Sequence, residues 1–303
     1  MNNIFTREIS GWSSWGSHFQ SIEAFEPLIR AIFQHEKLPF HQIENCTPGT
    51  NAVFKVGEYI VKIFAPPESG LNSTIDFHTE EFGMSRANAL HISAPTLVAS
   101  GLIEDRYAFR YLIMDYIEGD ELSKRTVSMS YEEKMIIGQK LRRITDTMNT
   151  PSESFHTIDI LERSIENERW NKYADSFNHE RVRYMNHYTI HNKVFVHGDL
   201  NADNIILGRD GKLYIIDFAD AVLAPPIYEH ALVASDLFRF EKPYLEGYFG
   251  DYSAADMADL CLNGLLIHDF GADIIKNLLG PIDRILSLDD LRERLFQAIQ
   301  SKK

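Results

Sequence analysis

Apolar and polar positions change their period about a third of the way along the chain. Between Ser17 and Gln34 the apolar residues Phe19, Ile22, Phe25, Leu28, Ile29 and Ile32 recur at helical spacing. Ser17 with Gln20 fits a capping box at the start. Pro27 lies inside the stretch, which predicts either two short helices or one kinked helix. Strand-like runs follow at Phe40 to Cys46, Asn51 to Val56 and Tyr59 to Phe64. Thr47-Pro48-Gly49-Thr50 reads as a turn, and Gly57-Glu58 as a short hairpin turn. Asp76 to Leu90 reads as a helix, then Pro95 to Gly101 and Tyr107 to Tyr116 as strands.

From Glu118 onward helices dominate: Tyr131 to Met148, more than one within Ile158 to Asn192, Glu229 to Arg239, Ser253 to His268, and Leu288 to Ser301. A strand-rich island, Val194 to Phe218, interrupts them. There is no internal repeat and no long linker. The pattern predicts an α+β protein with a β-rich first lobe and a helical second lobe, meeting near Tyr116 to Gly119.

The island carries the first chemistry. Asp210-Gly211 sits between two apolar runs, a strong signal for a two-residue hairpin turn. That turn sets Arg209 opposite Lys212, Leu207 opposite Tyr214, Ile205 opposite Ile216, and Asn204 opposite Asp217. An amide oxygen and a carboxylate then stand side by side, both hard ligands suited to Mg²⁺, which takes one or two protein ligands plus phosphate and water. Asp199, five residues before Asn204, lies in a loop beside this pair, where a carboxylate can orient and deprotonate a hydroxyl.

The first lobe offers a complement. Lys62 shares a strand face with Ile60 and Phe64 and falls opposite Val53. A lysine in an apolar strand either snorkels or meets an anion. Glu80 and Glu81, on the following helix, are both available to it. The turn at TPGTN brings backbone N–H groups where a phosphate could approach. The strand Tyr111 to Tyr116 runs into a link, Ile117-Glu118-Gly119, where a flat base could bond to exposed backbone.

Composition narrows the partners. The net charge of −14 disfavours a nucleic-acid partner. No apolar run is long enough for a membrane helix, and the start, MNNIFTREIS, lacks the pattern of a secretion signal. Two distant cysteines, Cys46 and Cys261, make no disulfide framework, so a cytoplasmic location is expected. Between Asp220 and Ile275 ten acids face only Arg239 and Lys242, a net of −8. A field of one sign concentrates a cationic ligand. His187 and His191 have the spacing of a helical zinc pair but no third ligand.

The segment VHGDLNADNII, followed by IIDF, resembles the catalytic and metal-binding segments of the aminoglycoside phosphotransferase and choline kinase family, relatives of the protein kinases. Gly198 replaces the kinase Arg, Ala219 replaces the last Gly of Asp-Phe-Gly, and APPIYEHA follows in place of Ala-Pro-Glu. These departures point away from a protein kinase. The resemblance covers about Phe40 to Phe270.

It implies a bilobal protein-kinase-like fold, with a nucleotide-binding lobe over residues 1–116 and a helical lobe over 117–303 holding the catalytic loop, metal site and acceptor site. It implies transfer of the γ-phosphate of ATP or GTP to a hydroxyl. Asp199 would be the catalytic base, and Asn204 and Asp217 would hold Mg²⁺. Lys62 would contact the phosphates with Glu81 orienting it. Thr50 and Asn51 would lie at the phosphate turn, which has fewer glycines than the family's loop. The backbone at Asp115 and Ile117 would receive the base, with Met114 behind it. With the acidic stretch, the acceptor is expected to be cationic, an aminoglycoside first. Asp236, Asp251, Asp256, Asp269 and Asp273 are the pool for amine contacts. A metabolic kinase of choline, a sugar or an amino-alcohol is the alternative. A non-catalytic nucleotide-binding module is a third, opposed by the presence of base, both metal ligands and lysine.

Overall fold

The structure is a computed structural model that describes residues 3–47 and 49–302. Pro48, part of the expected turn, lies outside the described residues. The chain divides into two compact units, Met1–Glu118 and Gly119–Lys303.

The first unit opens with two helices, α1 (Trp12–His18) and α2 (Ile22–His35). The break falls at Phe19 to Ser21 rather than at Pro27. Ser21 is the cap, its hydroxyl accepting the Ala24 N–H at 3.2 Å. Pro27 lies in the second turn of α2, where its missing N–H removes a single backbone bond without ending the helix. The expected cap at Ser17 lies inside α1, and its hydroxyl bonds back to the Ser14 carbonyl.

A five-stranded sheet follows in the order β1-β2-β3-β5-β4, comprising β1 (Ile43–Asn45), β2 (Ala52–Val56), β3 (Tyr59–Ile63), β4 (Leu97–Glu104) and β5 (Ala108–Asp115). α3 (Ser73–Ala89) lies between β3 and β4 in the chain. Gly57 takes φ +65° in the two-residue β2–β3 turn. That turn puts Lys62 opposite Val53, the expected register. Phe25, Phe54, Phe109 and Trp15 pack in the core between α2 and the sheet, all without solvent exposure.

In the second unit β6 (Gly119–Glu121) leads into α4 (Leu122–Arg125), then α5 (Tyr131–Met148), α6 (Ile160–Glu166) and α7 (Asp175–His187). The capping box of α5 is complete, Ser130 with Glu133. The island is β7 (Val194–Val196), β8 (Ile205–Gly208), β9 (Leu213–Ile215) and β10 (Val222–Ala224). β10 pairs with β7, and β8 lies between β6 and β9. Then come α8 (Ile227–Leu232), a π-helical turn Val233–Leu237, α9 (Lys242–Phe249), α10 (Ala254–Ile267), α11 (Gly271–Leu279) and α12 (Leu288–Ser301). Among the described residues, no helix is long and apolar enough to cross a membrane.

Candidate active site

The loop from β7 to β8 contains His197, Gly198, Asp199, Asn201 and Asn204. Gly198 has φ +82°, and a Cβ there would stand 2.1 Å from the Asp220 carbonyl oxygen. Only glycine fits both the backbone angle and the contact, so its place where a kinase has Arg has a local steric cause. His197 is fully buried. Its Nδ1 accepts the Asp199 N–H at 3.3 Å and its Nε2 lies 3.0 Å from the Ile216 carbonyl. The proton therefore sits on Nε2, and the ring ties the loop to the end of β9.

Glu229 on α8 holds the loop from below. Its carboxylate accepts the His197 N–H at 2.5 Å. Burial pushes this acid up to about 8, against backbone N–H groups of His197 and Gly198 that favour the anion. Sequence reasoning passed over Glu229 as a site residue. The signal was a lone acid among apolar residues in PPIYEHALVAS.

Asp199 is met by two amides. Asn201 Nδ2 donates to Oδ1 at 3.0 Å and Asn204 Nδ2 donates to Oδ2 at 3.0 Å. Burial, then the negative charges of Asp220 and Asp217, push Asp199 up to about 7, partly offset by the amides. Asn201 was another omission. Its Oδ1 accepts the N–H groups of Asp203 and Asn204, an Asx turn that shapes the loop.

The hairpin register differs by one residue from the expected one. Ile205 lies opposite Ile215 and Leu207 opposite Leu213, while the Gly208 N–H meets the Lys212 carbonyl at 2.9 Å. The loop is three residues, Arg209-Asp210-Gly211, with Gly211 at φ +77° in the left-handed position. The Asp210 carboxylate accepts the Lys212 N–H at 3.1 Å, which stabilises the longer loop. Asn204 therefore faces Ile216, whose N–H reaches the Asn204 carbonyl at 3.1 Å. Asp217 stands one position beyond, at φ +63°, so the extended run has ended there. Both Asn204 and Asp217 still border Asp199, one by a hydrogen bond and one by its charge.

The amide of Asn204 presents its nitrogen to Asp199, which leaves its oxygen, a hard donor atom, for another partner. Among the described residues no three His, Cys, Asp or Glu side chains gather as a metal cage. One amide oxygen and one carboxylate beside further acids fit Mg²⁺, which needs few protein ligands.

In the first unit Lys62 is buried, and its Nζ lies 2.6 Å from Glu80 Oε2, with 8% and 2% of the two side chains exposed. The expected partner Glu81 is displaced: it takes the Ser100 hydroxyl at 2.5 Å and is one-third exposed. The reason is helical phase. Phe77, Glu80, Met84 and Ala87 form the buried stripe of α3, and Glu81 is turned off it. The sequence carries the spacing of the stripe, and packing against the sheet selects it as the buried face. Asn51 is buried and its Oδ1 accepts the Ala65 N–H at 3.2 Å, so its side-chain oxygen is engaged within the unit. The Thr50 carbonyl takes the Trp15 indole N–H at 2.9 Å. Met114 is buried at the end of β5, and Asp115 and Ile117 lie in the link beyond it.

The acidic pool is largely engaged. Asp269 pairs with Arg163 at 2.5 Å, and Asp273 with Arg169 and Lys172. The Asp256 carboxylate takes the Ser253 hydroxyl at the start of α10. Asp251 lines a surface hollow with Lys242 and Glu246. Asp236 is held above the usual carboxylate range by burial. The count of −8 along the chain overlooked bases that reach in from α6 and the Glu168–Lys172 turn.

A family model described as the phosphotransferase enzyme family matches residues 49–262. No curated protein sequence matches the chain. Among solved structures, the GDP complex of aminoglycoside 2'-phosphotransferase-IIIa is similar at 17% identity, covering 94% of this chain and 100% of that one, with a TM-score of 0.60. ADP-bound aminoglycoside phosphotransferase APH(2'')-Ib is similar at 16% identity, 89% and 98% coverage and a TM-score of 0.58. Choline kinase LicA from Streptococcus pneumoniae is similar at 16% identity, 90% and 98% coverage and a TM-score of 0.57. All three share the protein-kinase-like fold.

Proposed function

The chain belongs to the phosphotransferase enzyme family, and from that premise we propose that it moves the γ-phosphate of ATP or GTP to a hydroxyl of a cationic small molecule of the aminoglycoside type. The observation that carries the chemistry is Asp199, buried in the loop and fixed by two amides. Burial and the neighbouring carboxylates raise its proton affinity above that of an ordinary aspartate, which suits a proton acceptor. In this reading Asp199 orients the acceptor hydroxyl and takes its proton. Lys62, held by Glu80, contacts the donor phosphates. Asn204 and Asp217 would hold Mg²⁺, which supplies charge neutralisation at the phosphates when bound. The remaining catalysis is positioning: Gly198, His197 and Glu229 fix the loop on which Asp199 rides.

Aminoglycoside acceptors are supported by the net charge of −14 and by similar structures that hold kanamycin or streptomycin. A second reading has its own observation. Arg163, Arg169 and Lys172 neutralise two of the five acids in the amine pool. That favours a less highly charged acceptor, such as choline or an amino-alcohol, processed by the same chemistry. The test is nucleotide-dependent phosphorylation of aminoglycosides, macrolides, choline and amino sugars, with products located by mass spectrometry. Turnover of choline alone would overturn the first reading, and turnover of none would overturn both.

A further inference from the structure

The ladder beside the link at residues 115–117 has one irregular bond. β4 and β5 are antiparallel, with Leu97 opposite Met114. One step on, the Asp115 N–H donates to the Thr96 carbonyl at 3.2 Å. Residues of a hydrogen-bonded antiparallel pair normally exchange both N–H···O bonds. Here the reciprocal bond is replaced, because the Thr96 N–H donates to Oδ1 of the Asp115 side chain. On the opposite side the Tyr116 N–H meets the Glu58 carbonyl at 2.8 Å, which locks the end of β5 to the β2–β3 turn. The Thr96 segment is also fixed, since Asn88 Nδ2 donates to the Pro95 carbonyl at 3.1 Å. The carboxylate thus substitutes for its own residue's carbonyl, leaving that carbonyl without the ladder bond it would otherwise accept.

Resting on the reading that the backbone of Asp115 and Ile117 receives the base, we infer that the Asp115 carboxylate is a positioning residue for nucleotide recognition. By holding the Thr96 N–H it keeps the Asp115 carbonyl available to accept an N–H from the edge of a purine. Without the carboxylate, the Thr96 N–H closes onto the carbonyl and competes with the base. The side chain itself touches no ligand.

The test is steady-state kinetics with a purine triphosphate as the varied substrate. Asp115→Ala should raise the nucleotide KM about five-fold, the size of one net hydrogen bond, with the effect on KM rather than kcat. Asp115→Asn, which retains an acceptor oxygen, should recover most of the loss. Thr96→Pro added to Asp115→Ala should also recover it, because the competing N–H is gone. Ile117→Pro removes the other backbone contact and reports on the underlying reading. If Ile117→Pro raises KM while Asp115→Ala does not, the base binds at the link and the inference is overturned. If neither moves KM, the base-binding reading falls and the inference with it. If Asp115→Ala lowers kcat and melting temperature while KM stays constant, the carboxylate only supports the fold, and the inference is again overturned.

Discussion

Nδ2 of Asn204 donates both to Oδ2 of Asp199 at 3.0 Å and to the Asp199 backbone carbonyl at 2.8 Å. One amide therefore clamps the loop, orients the carboxylate and turns its oxygen toward the place proposed for a metal. The proposed base and the proposed metal ligand are thus joined by a single side chain. Asn204→Ala should raise the Mg²⁺ concentration needed for half-maximal rate by at least about ten-fold, in line with the loss of a metal-site group. A Mg²⁺ titration of activity checks this, and an unchanged midpoint would remove Asn204 from the metal site.

Removing the base should affect turnover and spare the donor. Asp199→Asn should lower kcat by about 10²–10⁴-fold, with nucleotide affinity within a few-fold of wild type. Single-turnover kinetics beside nucleotide titration separate the two. Wild-type turnover in this variant would rule out the assigned role.

The two adjacent glutamates of α3 should behave very differently. Glu80→Gln removes the carboxylate of a buried ion pair with Lys62 and should cost about 3 kcal/mol or more of stability. Glu81→Gln alters a partly exposed hydrogen bond to Ser100 and should cost about 1 kcal/mol or less. Denaturant unfolding measures both, and equal losses would contradict the pairing with Lys62.

Gly198→Ala should destabilise the protein by more than about 1 kcal/mol, since it combines a positive φ with a Cβ that would stand 2.1 Å from the Asp220 carbonyl oxygen. Activity should fall further than stability, because the strain lies next to Asp199. Thermal melts and kcat of the folded fraction make the comparison.

Glu229 makes stability depend on pH. Its folded-state value of about 8 lies above the ordinary 4.5, so the native state binds more protons between those limits. Its contribution is therefore full below about 4.5 and is lost as pH rises through about 8. Glu229→Gln keeps an acceptor for the His197 N–H and removes this dependence. Unfolding free energies of the two proteins should diverge across that window, and parallel curves would show that Glu229 stays ionised.

Much of this was legible in the sequence. The run from His197 to Phe218 marked the loop proposed to carry the base, and the Gly57 turn fixed Lys62 opposite Val53. The loop glycine, the two amides and the terminal Asp217 are also local. They are set by backbone sterics and by hydrogen bonds between residues only a few positions apart. Alternation, turn chemistry and motif spacing carry that information because each depends on near neighbours in the chain.

Tertiary structure decided the rest, and the reason is the same in each case. Glu80 rather than Glu81 meets Lys62 because packing of Phe77 and Met84 sets the phase of α3 against the sheet. Asp269 and Asp273 are neutralised by bases more than a hundred residues earlier in the chain, so a running sum of charges overstated the field. Glu229 reaches His197 across 32 positions. Sequence determined which groups are present and how each local segment bends. Folding decided which of them share a buried space, because charge pairing and burial depend on distance in space and not along the chain.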